Sequence, residues 1–134
     1  MVLGYIMNNT TSISEYKIFY NKINRETCYT VCNDPRKHSA YRHIKKFIRD
    51  YMLRNKKCLE IGSAKGIFQN MVENYTGLDV AESLAKYYQK PYLVVNKDGT
   101  YPFDDNSFEA IWSYEVHEHI PNINQDQTCL NHFL

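Results

Sequence analysis

Lys57-Cys58-Leu59-Glu60-Ile61-Gly62-Ser63-Ala64-Lys65-Gly66 is a short apolar run that passes directly into a turn carrying two glycines. Residues 58–61 read as a strand. The spacing then predicts a helix over 67–74, with Ile67, Met71 and Val72 on its buried face. A strand, a tight turn and a helix start in succession set backbone N–H groups around a small-molecule site, and Gly62 and Gly66 let a polar ligand approach the chain closely. The same pattern also serves as a plain structural connection.

Downstream the alternation continues. A second strand is expected over 75–79, a second helix over 81–89, a third strand over 91–95 and a fourth over 108–114. Strands alternating with helices give an α/β class and a parallel sheet covered on both faces, with right-handed crossovers. Asp79 ends the second strand nineteen residues after Glu60. A carboxylate there can accept two hydrogen bonds from the hydroxyls of a ribose, although a single aspartate also reads as a helix cap. The dinucleotide fingerprint fails, because its glycine positions hold Gly62, Ala64 and Gly66. No Gly-Lys-Ser/Thr follows the turn either, so the phosphate-binding loop is not met. Glu60 would repel a pyrophosphate and suits a ligand with a cationic amino group.

Upstream, Asn33-Asp34-Pro35 reads as a helix start with Asp34 as the cap and Pro35 in the first turn. Tyr41, Ile44, Phe47, Ile48, Tyr51 and Met52 recur at helical spacing, which predicts an amphipathic helix within 36–54. Ile13, Tyr16, Phe19, Tyr20 and Ile23 suggest another helix within 12–32. Arg42, Lys45, Lys46 and Arg49 form a basic stripe that would attract an anionic substrate, dock on an acidic surface, or simply face solvent.

The charges nearly cancel, 16 Lys+Arg against 15 Asp+Glu, but they are segregated. Residues 1–57 carry 12 Lys+Arg and 4 Asp+Glu, a net of +8, and residues 58–134 carry 4 and 11, a net of −7. The break divides a basic helical N-terminal cap segment, 1–56, from an acidic part, 57–134. At 134 residues and 43% apolar content the chain has one domain's worth of core. The balance of charge argues against a nucleic-acid partner and against a disordered acidic tail, and no apolar run is long enough for a membrane span. The first residues lack a secretion signal, so the expected location is cytoplasmic, with Cys28, Cys32, Cys58 and Cys129 as free thiols. His117-Glu118-His119 has neither the face-sharing spacing nor the further ligands of a zinc site.

Three stretches taken together resemble the class I S-adenosylmethionine-dependent methyltransferases, in their small-molecule branch. The first is Leu59-Glu60-Ile61-Gly62-Ser63-Ala64-Lys65-Gly66 and the second Gly77-Leu78-Asp79. The third runs from Tyr101-Pro102-Phe103-Asp104-Asp105-Asn106-Ser107-Phe108-Glu109-Ala110-Ile111 into Ser113-Tyr114-Glu115-Val116-His117-Glu118-His119-Ile120. The resemblance covers about 56–123, and Ala64 departs from it where the family usually has glycine.

What the resemblance implies is a Rossmann-like parallel sheet, partial at about four strands, and S-adenosyl-L-methionine as cofactor. Glu60 would orient the methionine end. Gly62, Ser63, Ala64 and Gly66 would give close backbone approach, and Asp79 would hold the ribose hydroxyls with Val80 against the adenine. Asp98 and Gly99 would lie beside the adenine amino group, and Ser113 and Tyr114 would line the methyl-donor side. The acceptor would be a small molecule, and no residue is assigned to catalysis. The family's sheet has seven strands, so the resemblance implies a fold truncated after the fourth, whose open edge invites self-association. Three functions follow: the cofactor-binding half of a methyltransferase, a non-catalytic binding module that needs a partner chain, and a nucleotide-dependent oxidoreductase fragment, which the failed fingerprint disfavours.

Overall fold

The computed structural model describes residues 17, 18, 21, 34–114 and 116. Four strands, β1 (Lys57–Ile61), β2 (Asn74–Asp79), β3 (Tyr92–Val94) and β4 (Ala110–Ser113), form one sheet in the order β3-β2-β1-β4, and every pair is parallel. The helix α1 (Tyr41–Asp50) precedes them, and a 3₁₀ helix, Glu82–Tyr87, lies between β2 and β3. This is the expected Rossmann-like α/β arrangement. β1 and β2 sit at its centre and are buried along nearly their whole length, so neither alternates between buried and exposed residues.

Each face has its own core. On one, Cys58, Tyr75 and Trp112 pack with Ala40, Ile44, Phe68 and Val72, so α1 covers this side. Aromatic rings run across that face from Phe47 to Trp112, Tyr75, Tyr88 and Tyr92, with successive centroids 4.4 to 6.5 Å apart. On the other, Leu59, Ile61, Leu78 and Val95 pack with Tyr101, Phe103 and Phe108. The segment 101–108 therefore supplies this second face with aromatic rings, Tyr101 stacked on Phe103 and Phe103 edge-on to Phe108.

The strands fall where the sequence puts them, and so does α1 within 36–54, but the two helices expected between the strands do not form as α-helices. Over 67–74 the chain makes successive turns, Gly66 to Gln69 and Phe68 to Met71, and β2 begins at Asn74. Eight helical residues advance only about 12 Å, less than the return from the end of β1 to the start of β2 requires. Lys90 Nζ satisfies the freed carbonyls of Val72 and Glu73 at 2.8 and 2.6 Å. The helix expected over 81–89 is a 3₁₀ helix whose Ser83 amide donates to Asn21 Oδ1 at 3.1 Å, and it is closed by Gln69, whose Oε1 accepts the amides of Gln89 and Lys90.

The helix start is displaced as well. Asp34 accepts the Arg36 amide at 3.0 Å but caps only a 3₁₀ turn, Pro35–Lys37. His38 is extended, and α1 begins after it. At the far end Met52 takes a left-handed conformation, φ 53°, with Leu53 N–H bonded to Ile48 O and Met52 N–H to Arg49 O. That is a Schellman closure. It turns Met52 outward, 81% exposed, and buries Leu53 in its place.

The basic stripe of α1 faces solvent. Lys46 and Arg49 both pair with Asp50, and Lys45 lies over the Tyr41 ring. Of the residues in the expected 12–32 helix, Ile13, Tyr16, Phe19, Tyr20 and Ile23 lie outside the described residues, as do Cys28, Cys32, Cys129 and His117 to His119. Among the described residues no helix is long and apolar enough to cross a membrane.

Candidate functional site

The carboxyl ends of β1, β2 and β4 converge on the turn after β1, as expected of ligand sites in open α/β sheets. The amides of Gly62 and Ser63 both donate to Leu78 O, at 2.8 and 3.2 Å, and the Gly66 amide donates to Ser63 O at 2.8 Å. The turn's backbone donors are thus directed inward, onto the protein itself. The sequence alone led us to expect them free for a ligand.

Asp79 joins the two motifs. Its Oδ2 accepts the Ala64 amide at 2.9 Å and its Oδ1 accepts the Val80 amide at 2.7 Å. Burial raises the Asp79 carboxyl above the usual aspartate range, while the amides of Ala64, Val80 and Ala81 oppose that shift. Each carboxylate oxygen has a second lone pair, so acceptor capacity for a ligand diol remains. Val80 packs into the second core, beside Leu93 and Phe103.

Glu60 faces the first core and is 5% exposed. It accepts a hydrogen bond from the Tyr75 hydroxyl. Burial raises its carboxyl from 4.5 to about 7, the Tyr75 bond opposes the shift, and the nearby Asp79 charge adds to it. Trp112 stands opposite Glu60 in the ladder. Its indole N–H favours the ionised Glu60, yet has no hydrogen-bond partner of acceptable geometry among the described residues. The indole is therefore an electrostatic neighbour of the carboxyl and not bonded to it.

Gly62 and Gly66 are crowded by the protein's own side chains. A Cβ on Gly62 would stand 2.2 Å from Val116 Cγ2, and one on Gly66 would stand 2.6 Å from the Tyr88 ring. Tyr88 reaches across the turn, its hydroxyl 2.7 Å from Ser63 Oγ and 2.8 Å from Ala64 O. Sequence reading missed Tyr75 and Tyr88. Parallel register sets Tyr75 against β1 and the path of the chain after the 3₁₀ helix brings Tyr88 to the turn, and neither is written in local periodicity.

The remaining positions lie around the rim. Asp98 is exposed and closes its own turn, accepting the Thr100 amide and hydroxyl at 3.0 and 2.6 Å, which lowers its carboxyl below the usual range. Gly99, at φ 87°, donates to Asn96 O within that turn. Ser113 ends β4 opposite Ile61. Tyr114 follows it, edge-on to His38 at 6.1 Å and stacked with His43 at 6.5 Å, so the α1 segment covers the end of β4.

This donor set fits a nucleoside-bearing cation. It offers a half-buried carboxylate with spare acceptor capacity and a second, deeply buried acid near it. Glu60, whose affinity for a proton is raised by burial and then by the Asp79 charge, is relieved by a positive ligand. The family model described as a methyltransferase domain matches residues 59–131. Comparisons with curated proteins and with solved structures gave no match.

Proposed function

Because the chain belongs to the class I S-adenosylmethionine-dependent methyltransferases, we infer that the turn after β1 and the end of β2 receive S-adenosylmethionine for methyl transfer to a small-molecule acceptor. The observation that carries this reading is the bond from the Ala64 amide to the Asp79 carboxylate, which joins the glycine-bearing turn to an acid at the end of the neighbouring strand. Asp79 would hold the ribose hydroxyls, Glu60 the charge of the methionine end, and Ser113 and Tyr114 the side from which the acceptor approaches.

The bound cofactor supplies an electrophilic methyl group on a sulfonium. The chain's own contribution is orientation and exclusion of water, since in-line displacement depends chiefly on alignment of acceptor and methyl group. A base is required only where the acceptor atom carries a proton that must leave. Incubating the protein with methyl-labelled S-adenosylmethionine and a panel of small O-, N- and S-nucleophiles tests the reading. Label in a small product supports it. Cofactor bound without turnover over a broad panel makes the chain a holding module instead.

A further inference from the structure

Ala64 occupies the left-handed region at φ 44°, where a Cβ crowds the following carbonyl and glycine is normally required. Its two peptide groups are gripped from opposite sides. The N–H goes to Asp79 Oδ2 at 2.9 Å and the carbonyl accepts from the Tyr88 hydroxyl at 2.8 Å. The same hydroxyl meets Ser63 Oγ at 2.7 Å and Ser63 O at 3.1 Å.

Tyr88 is itself firmly placed. Its ring lies 4.4 Å from that of Tyr92 and is stacked with Tyr75 at 6.5 Å. It fills the space left by the missing side chains of Gly66 and Gly77, where a Cβ would come within 2.6 Å of it. Gln69 fixes the backbone on either side, donating to Tyr87 O at 3.1 Å and accepting the Gln89 amide at 2.9 Å. Burial pushes the Tyr88 hydroxyl well above its ordinary value, so it remains a donor at all working pH.

The geometry points to Tyr88 as a positioning residue of the cofactor turn: with Asp79 it holds Ala64 in a conformation that a glycine would adopt unaided. This rests on the cofactor reading above, because a turn held in one shape lowers the ordering cost of binding. Tyr88 touches no reacting atom in this account and acts through Ala64.

A double-mutant cycle tests it, with the wild type, Tyr88→Phe, Ala64→Gly and the double variant. S-adenosylhomocysteine affinity is read by calorimetry and the unfolding midpoint by thermal scan. Tyr88→Phe is expected to weaken binding about fivefold to tenfold with Ala64 present, the contribution of one hydrogen bond, and less than about twofold in the Ala64→Gly background. Equal weakening in both backgrounds, or none in either, overturns the assignment. If the wild type binds no S-adenosylhomocysteine, the cofactor reading fails while the clamp is still read from the midpoints. Tyr88→Phe must then lower the midpoint by several degrees more with Ala64 in place than in the Ala64→Gly background, and equal drops overturn it. Should Tyr88→Phe fail to fold, recovery of the fold by Ala64→Gly supports the clamp, and failure of both variants overturns it.

Discussion

The hydroxyl of Tyr75 donates to the carboxyl of Glu60 across two central strands, although the ladder sets Tyr75 opposite Cys58 and Glu60 opposite Gly77. The tyrosine reaches two residue pairs along the ladder, over a face on which Gly77 carries no side chain. A buried acid thereby gains a donor that neither sequence neighbour supplies.

The protonation of Glu60 makes stability depend on pH. Its folded carboxyl is raised from 4.5 to about 7, so between these values the folded state binds the proton more tightly than the unfolded chain does. The resulting stabilisation is complete below about pH 4.5 and is lost as pH rises to about 7. Glu60→Gln removes that dependence. Its unfolding midpoint relative to wild type is expected to be higher at pH 8 than at pH 5, where the two proteins should be similar. A difference that does not change with pH would show that Glu60 titrates normally.

Asp79→Asn replaces a carboxylate that serves two amides with a group offering one acceptor oxygen. Hydrogen bonds to a charged acceptor contribute about 1.5–3 kcal/mol. We expect S-adenosylhomocysteine binding to weaken tenfold or more while far-ultraviolet circular dichroism stays that of wild type. Unchanged affinity would remove Asp79 from the ligand site.

Gly77→Ala introduces a methyl group 2.6 Å from the Tyr88 ring and 2.7 Å from Ser63 Oγ. Overpacking of this kind costs about 1–3 kcal/mol. Urea unfolding should show a lower midpoint with an unchanged slope. A midpoint equal to wild type would mean that the tyrosine moves aside freely.

Cys58 is fully buried and its thiol is pushed up to about 11 by burial. The native protein should therefore resist alkylation at Cys58 at pH 8, and urea should expose it. Peptide mapping after brief iodoacetamide treatment checks this, and rapid native labelling of Cys58 would contradict its placement in the core under β1.

The four strands were legible because each is a short run bounded by Gly, Asp, Pro or a charged residue, and α1 was legible within 36–54. The helices between the strands were not. Ile67, Met71 and Val72 have helical spacing, yet a helix over these residues advances too little for the return to β2. Met52 fits the periodicity of α1, but the chain turns left-handed there and buries Leu53 instead. At the site, Glu60, Ala64 and Asp79 were recognisable from motif spacing. Their neighbours Tyr75, Tyr88 and Trp112 were not, because strand register and the path of residues 82–90 bring them there.

The most direct test of the central claim is calorimetric titration of the purified chain with S-adenosylhomocysteine, with NAD as the control. Saturable one-to-one binding of S-adenosylhomocysteine is expected, with no heat of binding with NAD. Binding of NAD without binding of S-adenosylhomocysteine would contradict it.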